Sequence, residues 1–253
     1  MNDDILNLPT PKPDARVAYG NDPNQFVDLR LPKQKARGLA LTIHGGFWRA
    51  KYDLSYMGHL CASLTAQGLA TANLEYRRVG NPGGGWPGSF ADIRNACQFL
   101  QQNAHKYGVD AQPVAVIGHS AGGQLALCLA AHEPTVKAAI SLAGVVDLQR
   151  TYALHLSNDA VVEFLGGKPA DVGDHYREAD PMRLTISARQ ALVCGSDDDV
   201  VPPTFSRDYA AAKKKMREDV CLKEIAGAGH FEVVDPRTDA GKEVQRIVLD
   251  SLT

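Results

Sequence analysis

An α/β architecture, with a mostly parallel central sheet and helices on both faces, is predicted from three observations. Apolar runs rich in β-branched residues alternate with stretches of helical periodicity along almost the whole chain. One junction, Val114-Ala115-Val116-Ile117-Gly118-His119-Ser120-Ala121-Gly122-Gly123, leads from a buried strand into a helix through a G-x-S-x-G turn. No repeat, low-complexity tract or linker interrupts the alternation. The 253 residues are therefore expected to form one domain, long for a single core but ordinary for this class.

Residues up to about Pro13, rich in Pro, Asn and Asp, read as a loose arm. Residues 16–20 and 25–32 flank a turn containing Asp22-Pro23, which predicts an antiparallel hairpin at the sheet edge. The continuous apolar run 38–44 is a strand covered on both faces. A helix over 53–67 follows, with Met57, Leu60, Cys61 and Leu64 at helical spacing and Gly68 as its stop. Next come a strand over 69–76, a loop dense in Gly and Pro over 77–88, and a helix over 90–107. After the G-x-S-x-G strand and helix, residues 136–144 form a further strand. Residues from about 148 to 187 break the rhythm and are read as a short lid insertion over the site. Alternation resumes with a strand at 191–195, a helix at 204–216, a strand at 220–225 and a last helix at about 238–251.

Composition narrows the function classes. A hydrophobic content of 44% with 22% charged residues is that of a globular protein. The net charge of −2 offers no electrostatic case for nucleic acid or an anionic membrane as partner. No apolar run has the roughly 18 residues of a membrane helix, and the N-terminus carries no export signal. The five cysteines are scattered and odd in number, which fits buried free thiols better than a disulfide framework or zinc site. A cytoplasmic location is expected, and a homodimer is compatible with the sequence.

The chemistry gathers around Ser120. A serine hydroxyl is a poor nucleophile at neutral pH and needs a base beside it, itself held by a third group. On a nucleophile elbow the glycines at 118 and 122 let strand and helix approach closely. Acid and base should then follow in that order, on loops after late strands, because parallel sheets gather their sites beyond the strands' carboxyl ends. Among eight histidines, His230 in Gly227-Ala228-Gly229-His230-Phe231 directly follows the last strand. His59, His105, His132, His155 and His175 lie in helices or the insertion, and His119, next to the serine on a tight turn, is expected to point elsewhere. The acid comes from Asp197-Asp198-Asp199; Asp198 is favoured, the neighbours remain alternatives, and Asp147 is a more distant one. His44-Gly45-Gly46-Phe47-Trp48 is the oxyanion loop, with the Gly46 and Phe47 amides joined by that of Ala121. Trp48, Trp86, Tyr152, Phe164 and Leu165 are candidates for an apolar substrate pocket, with core packing the alternative for each. Gly83-Gly84-Gly85-Trp86-Pro87-Gly88 satisfies G-x-G-x-x-G, but Pro87 sits inside the turn and the strand ends several residues earlier, which argues against a dinucleotide. The aspartate run lacks the spacing of a calcium loop, so neither a metal nor a cofactor is expected.

With these residues in place the chain resembles an α/β-hydrolase over nearly its whole length. Within that superfamily, His44-Gly45-Gly46-Phe47-Trp48, Gly118-His119-Ser120-Ala121-Gly122-Gly123, the run from Gly195 to Pro202, and Gly229-His230-Phe231 resemble the kynurenine formamidase (arylformamidase) and small carboxylesterase group. The resemblance implies the α/β-hydrolase fold and assigns the triad acid to Asp198 by its spacing from Gly195 and Val201-Pro202. Related esterases often carry a third glycine where this chain has Phe47, and the H-G-G-aromatic-W form is more like the formamidase branch. It further implies a metal-free serine hydrolase acting on a small carboxylic ester or an N-formyl aryl amide. An exopeptidase-like hydrolase and a non-catalytic hydrolase-fold binding protein are the rival readings.

Overall fold

The architecture follows from strands that are apolar on both faces and therefore need helices on both. The computed structural model describes residues 3–110 and 112–252. Its strands are β1 (Ala15–Ala18), β2 (Phe26–Arg30), β3 (Leu39–Ile43), β4 (Ala70–Leu74), β5 (Val114–His119), β6 (Val136–Leu142), β7 (Arg189–Gly195) and β8 (Val220–Ile225). They form one sheet in the order β1-β2-β4-β3-β5-β6-β7-β8. The hairpin β1–β2 sits at one edge, with Ala15 opposite Leu29, and β2 runs antiparallel to β4. From β4 to β8 every pairing is parallel.

Successive residues of a strand point to opposite faces, and β3 and β5 show what this does to the core. Leu39, Leu41, Ile43, Val114 and Val116 pack with α2 (Gly88–Asn103), α3 (Ala121–His132) and α7 (Thr204–Lys215). Ala40, Ala115 and Ile117 pack on the other face with α1 (Met57–Ala66) and α8 (Asp239–Asp250). Helix α1 begins four residues later than periodicity suggests. The Asp53 carboxylate there accepts from the Ser55 amide at 2.9 Å and Leu54 N donates to Glu75 Oε2 at 3.2 Å, which holds the backbone in a turn.

Two expectations need correction. From Asp3 onward the N-terminal stretch is not a loose arm, residues 1 and 2 lying outside the described residues: Asp4–Asn7 form a 3₁₀ turn, and Ile5 is completely buried with Tyr56, Met57, Leu60 and Val233. One well-seated isoleucine outweighs the polar composition around it. Arg30, reaching up to the Pro11 carbonyl at 2.5 Å, ties down the rest. The second concerns the insertion, which forms α4 (Leu148–Ala153), α5 (Ala160–Leu165) and α6 (Gly173–Ala179). Its apolar residues do not hang over the site. Phe164, Leu165 and Tyr176 are buried in the main core, and Phe164 stacks on Trp48 with ring centroids 4.5 Å apart.

Two predictions follow from this packing. Phe164→Ala removes the face on which Trp48 rests, and a buried Phe→Ala costs about 3–5 kcal/mol, to be read from urea unfolding. Asp180, after α6, is buried and lies near Asp147, which together push its carboxyl up from 3.8 to about 7. Folded protein thus holds a proton there that the unfolded chain has already lost, so this residue makes stability fall as pH rises from about 4 to 7. Asp180→Asn should flatten that decline in melting temperature; an unchanged slope would contradict the assignment.

Candidate active site

Everything at the site hangs from the turn between β5 and α3. Ser120 has φ +56° and ψ −120°, a conformation that L-residues rarely adopt. It is fixed by its own N–H to the Leu142 carbonyl at 2.8 Å, and its carbonyl accepts from Gly123 and Val145. A Cβ at Gly118 would collide with the Gly122 carbonyl, and one at Gly122 would collide with the carbonyls of Ile43 and His44. The expected steric reason for both glycines is therefore present.

Asp198 follows β7 and His230 follows β8, so both loops leave the same end of the sheet as Ser120. His230 Nδ1 lies 2.8 Å from Asp198 Oδ2, and both side chains are buried. The other carboxylate oxygen, Oδ1, accepts from the amides of Val200 at 2.9 Å and Val201 at 2.8 Å. This carboxylate is thus held on both sides and can set the orientation of the imidazole. Its neighbours differ: Asp197 is exposed and bonds Ser196 Oγ, and Asp199 is exposed. Asp147 accepts from the Arg150 amide and caps α4.

Ser120, His230, Gly46 and Phe47 line one cavity of about 260 Å³, together with Asp3, Leu6, Tyr52, Tyr56, His119, Val200 and Phe231. Gly46, Phe47 and Trp48 all have positive φ, a tight turn in which neither the Gly46 nor the Phe47 amide donates to a backbone carbonyl among the described residues. The Ala121 amide lies in the first turn of α3, where helix N–H groups lack intrahelical acceptors. Three donors are therefore available beside Ser120. Gly45 N is not among them, since it donates to the Tyr56 hydroxyl at 2.7 Å.

The apolar pocket candidates are corrected: none of the five walls this cavity. Trp48, Phe164 and Leu165 are core residues, Trp86 stacks on Phe90 at 5.2 Å, and Tyr152 packs edge-on against Tyr176. Core packing takes up Trp48, Phe164 and Leu165 fully and Trp86 and Tyr152 in part. Trp48 Nε1 donates to Gln124 Oε1 at 3.0 Å, and Gln124 Nε2 donates to the Ala179 carbonyl at 2.7 Å, so the loop at residues 44–48 is pinned to α3 and the insertion. At the loop's start His44 Nε2 meets Glu75 Oε1 at 3.1 Å. The Gly83–Gly88 stretch is a connector into α2.

Two wall elements escape sequence reasoning. One is the N-terminal turn, through Asp3 and Leu6. The other is His119, whose ring does not point away but lies 4.6 Å from that of His230. Burial and the neighbouring His230 hold its pKa well below that of an ordinary histidine, so it is neutral. Among the described residues no group of three His, Cys, Asp or Glu side chains is arranged to hold a metal ion.

The BD-FAE family model matches residues 27–212. Esterase LipC of Mycobacterium tuberculosis is 29% identical over 248 residues, covering 87% of this chain and 60% of that protein. The chain thus spans about 60% of the length of the first curated relatives it matches. A carbohydrate esterase from gut microbiota superposes with a TM-score of 0.81 at 20% identity, covering 94% of this chain and 95% of that one. Est2, an esterase of the planctomycete Thermogutta terrifontis, superposes with a TM-score of 0.75 at 23% identity, covering 94% and 91%. The fold is that of an α/β-hydrolase.

The three adjacent aspartates give a sharp test. Asp198→Asn keeps the shape but removes the charge, a change worth about 10⁴ in kcat in serine proteases. Asp197→Asn and Asp199→Asn should stay within about tenfold of wild type, as solvated turn residues do. Each variant is first checked for folding by thermal melt. An active Asp198→Asn beside an inactive neighbour would reassign the acid.

Proposed function

The chain belongs to the BD-FAE family, and from that premise we propose that it is a metal-free serine esterase cleaving small carboxylic esters through an acyl-enzyme. The observation that carries this reading is the buried Asp198–His230 pair opening onto the same cavity as the strained Ser120. His230 Nε2 takes the proton of Ser120 Oγ as the oxygen attacks the ester carbonyl. The negative charge that forms on the carbonyl oxygen falls to the amides of Gly46, Phe47 and Ala121, a stabilisation of roughly 3 kcal/mol per donor in comparable sites. Asp198 keeps the Nδ1 proton in place and stabilises the imidazolium. That imidazolium returns its proton to the departing alcohol. Water, activated by the same imidazole, then releases the acid.

Several observations support ester substrates of modest size. LipC is named an esterase, and structures of the Thermogutta esterase carry propionate and butyrate. The cavity of about 260 Å³ falls below the ~300–1,000 Å³ usual for drug-sized ligands. Leu6, Phe47, Tyr52, Val200 and Phe231 give it an apolar lining suited to a short acyl chain. An N-formyl aryl amide is a second reading, favoured by the H-G-G-aromatic-W form of residues 44–48.

Assays with p-nitrophenyl esters of increasing chain length, alongside N-formylkynurenine, separate these readings. Acetyl to butyryl esters should give the highest kcat/KM, and Ser120→Ala should abolish turnover. A maximum at twelve carbons or more would refute the short-acyl reading, and a preference for the formamide would select the second one. Leu6→Ala should shift the optimum toward longer acyl chains, since Leu6 stands at the cavity wall. EDTA should leave the rate unchanged; loss of activity that zinc restores would overturn the metal-free mechanism.

A further inference from the structure

Beneath the serine runs a chain of hydrogen bonds that the reaction as described does not use. The Gly45 amide donates to the Tyr56 hydroxyl oxygen at 2.7 Å. That hydroxyl lies 2.8 Å from His119 Nδ1, and His119 Nε2 lies 2.9 Å from the carbonyl oxygen of His230. The direction of each bond is determined by what can donate. The His230 carbonyl can only accept, so His119 Nε2 carries the ring proton. In the neutral imidazole Nδ1 is then the acceptor, so the tyrosine hydroxyl donates to it while its oxygen accepts from the Gly45 amide. Every group in the chain is satisfied by one tautomer of a neutral imidazole. Tyr56 and His119 are 8% and 1% exposed, so water does not compete for these bonds.

The two ends of this chain are the parts of the site that must stay in register. Gly45 immediately precedes Gly46 and Phe47, the proposed oxyanion donors, and its missing side chain lets it lie against Ser120 Cβ and the His119 carbonyl. His230 is the proposed base. Its loop comes from β8, three strands away from β5 in the sheet's order with β6 and β7 between them, and is joined to Asp198 through its ring. Phe231 closes the side of the chain, edge-on to Tyr56 at 6.0 Å and against His119 at 5.4 Å. We propose that Tyr56 and His119 are positioning residues whose hydrogen bonds hold the oxyanion loop and the backbone of His230 at a fixed separation across Ser120. Asp198 orients the His230 ring; His119 fixes the backbone that carries it. Displacements of about 1 Å at such centres cost up to ~100-fold in rate.

This inference rests on Ser120 and His230 being the nucleophile and base, so the experiment reads that separately. The rate at which a fluorophosphonate probe modifies the protein, with the modified residue located by mass spectrometry, reports nucleophile activation without assuming a substrate. Steady-state kinetics with p-nitrophenyl butyrate add the split between kcat and KM. Tyr56→Phe deletes one oxygen and keeps the ring; His119→Asn loses the reach to the His230 carbonyl; His119→Gln can place an amide N–H near the position of Nε2. In folded protein, Tyr56→Phe and His119→Asn should lower labelling rate and kcat by about 10- to 100-fold with KM within about twofold. His119→Gln should recover most of the loss, and the double variant should be no worse than the weaker single one, because both act through one chain. Should His119→Asn fail to fold, Tyr56→Phe decides alone. Labelling of Ser120 at the wild-type rate in Tyr56→Phe, or losses that multiply in the double variant, would overturn the positioning role and leave the esterase reading intact. Labelling of a residue other than Ser120 would overturn the esterase reading itself.

Discussion

The whole site depends on one strained residue held where three backbones converge. Ser120 at φ +56° stores a conformational cost of order 1–3 kcal/mol, which only a rigid surround can maintain. The surround is made of close backbone approaches: β5 to the first turn of α3 at Gly118 and Gly122, and α3 to the end of β3 at Gly122. A hydrogen bond to Leu142 on β6 anchors the serine's own amide. Strain and anchoring together put a hydroxyl at the carboxyl end of the sheet, next to a helix N-terminus whose dipole favours negative charge.

The surrounding loops are then positioned by buried polar contacts, each of which joins distant parts of the chain. The loop after β7 turns back so that two of its amides grip Asp198. The loop at residues 44–48 is held at its start by His44 on Glu75, in its middle by Gly45 on Tyr56, and at its end by Trp48 on Gln124. The insertion contributes from below. Phe164 supports the Trp48 ring, and Arg49 forms a two-pronged bond with Glu163, with contacts of 2.8 and 3.0 Å. It thus buttresses the loop at residues 44–48, while Asp3 and Leu6 of the N-terminal turn contribute to the cavity wall.

The sheet, its hairpin edge and the helix order were legible because they are written in short-range periodicity, as in the alternation of Leu39, Leu41 and Ile43 against Ala40. Ser120 was legible for a related reason, since the glycines at 118 and 122 are consequences of local crowding. Choosing Asp198 among three aspartates needed spacing from Gly195 and Val201, and its burial beside two exposed neighbours is the physical counterpart of that spacing. What periodicity could not convey are contacts between residues far apart. His119 finds Tyr56 63 positions earlier and His230 111 positions later. Ile5 sits in a polar stretch and reveals its burial only when α1 and Val233 are placed around it. The tryptophans and Phe164 misled for the opposite reason: aromatic residues near a site suggest a substrate pocket, yet their area makes them the first to be claimed by the core.

The central claim is that Ser120 carries the acyl group. It is tested most directly by mixing the protein with p-nitrophenyl acetate, quenching with acid within the first turnover and locating the acetyl group by mass spectrometry. One acetyl group per chain on the peptide that contains Ser120 is the predicted result. Acetyl found on another residue, or undiminished acetyl transfer in Ser120→Ala, would contradict the account.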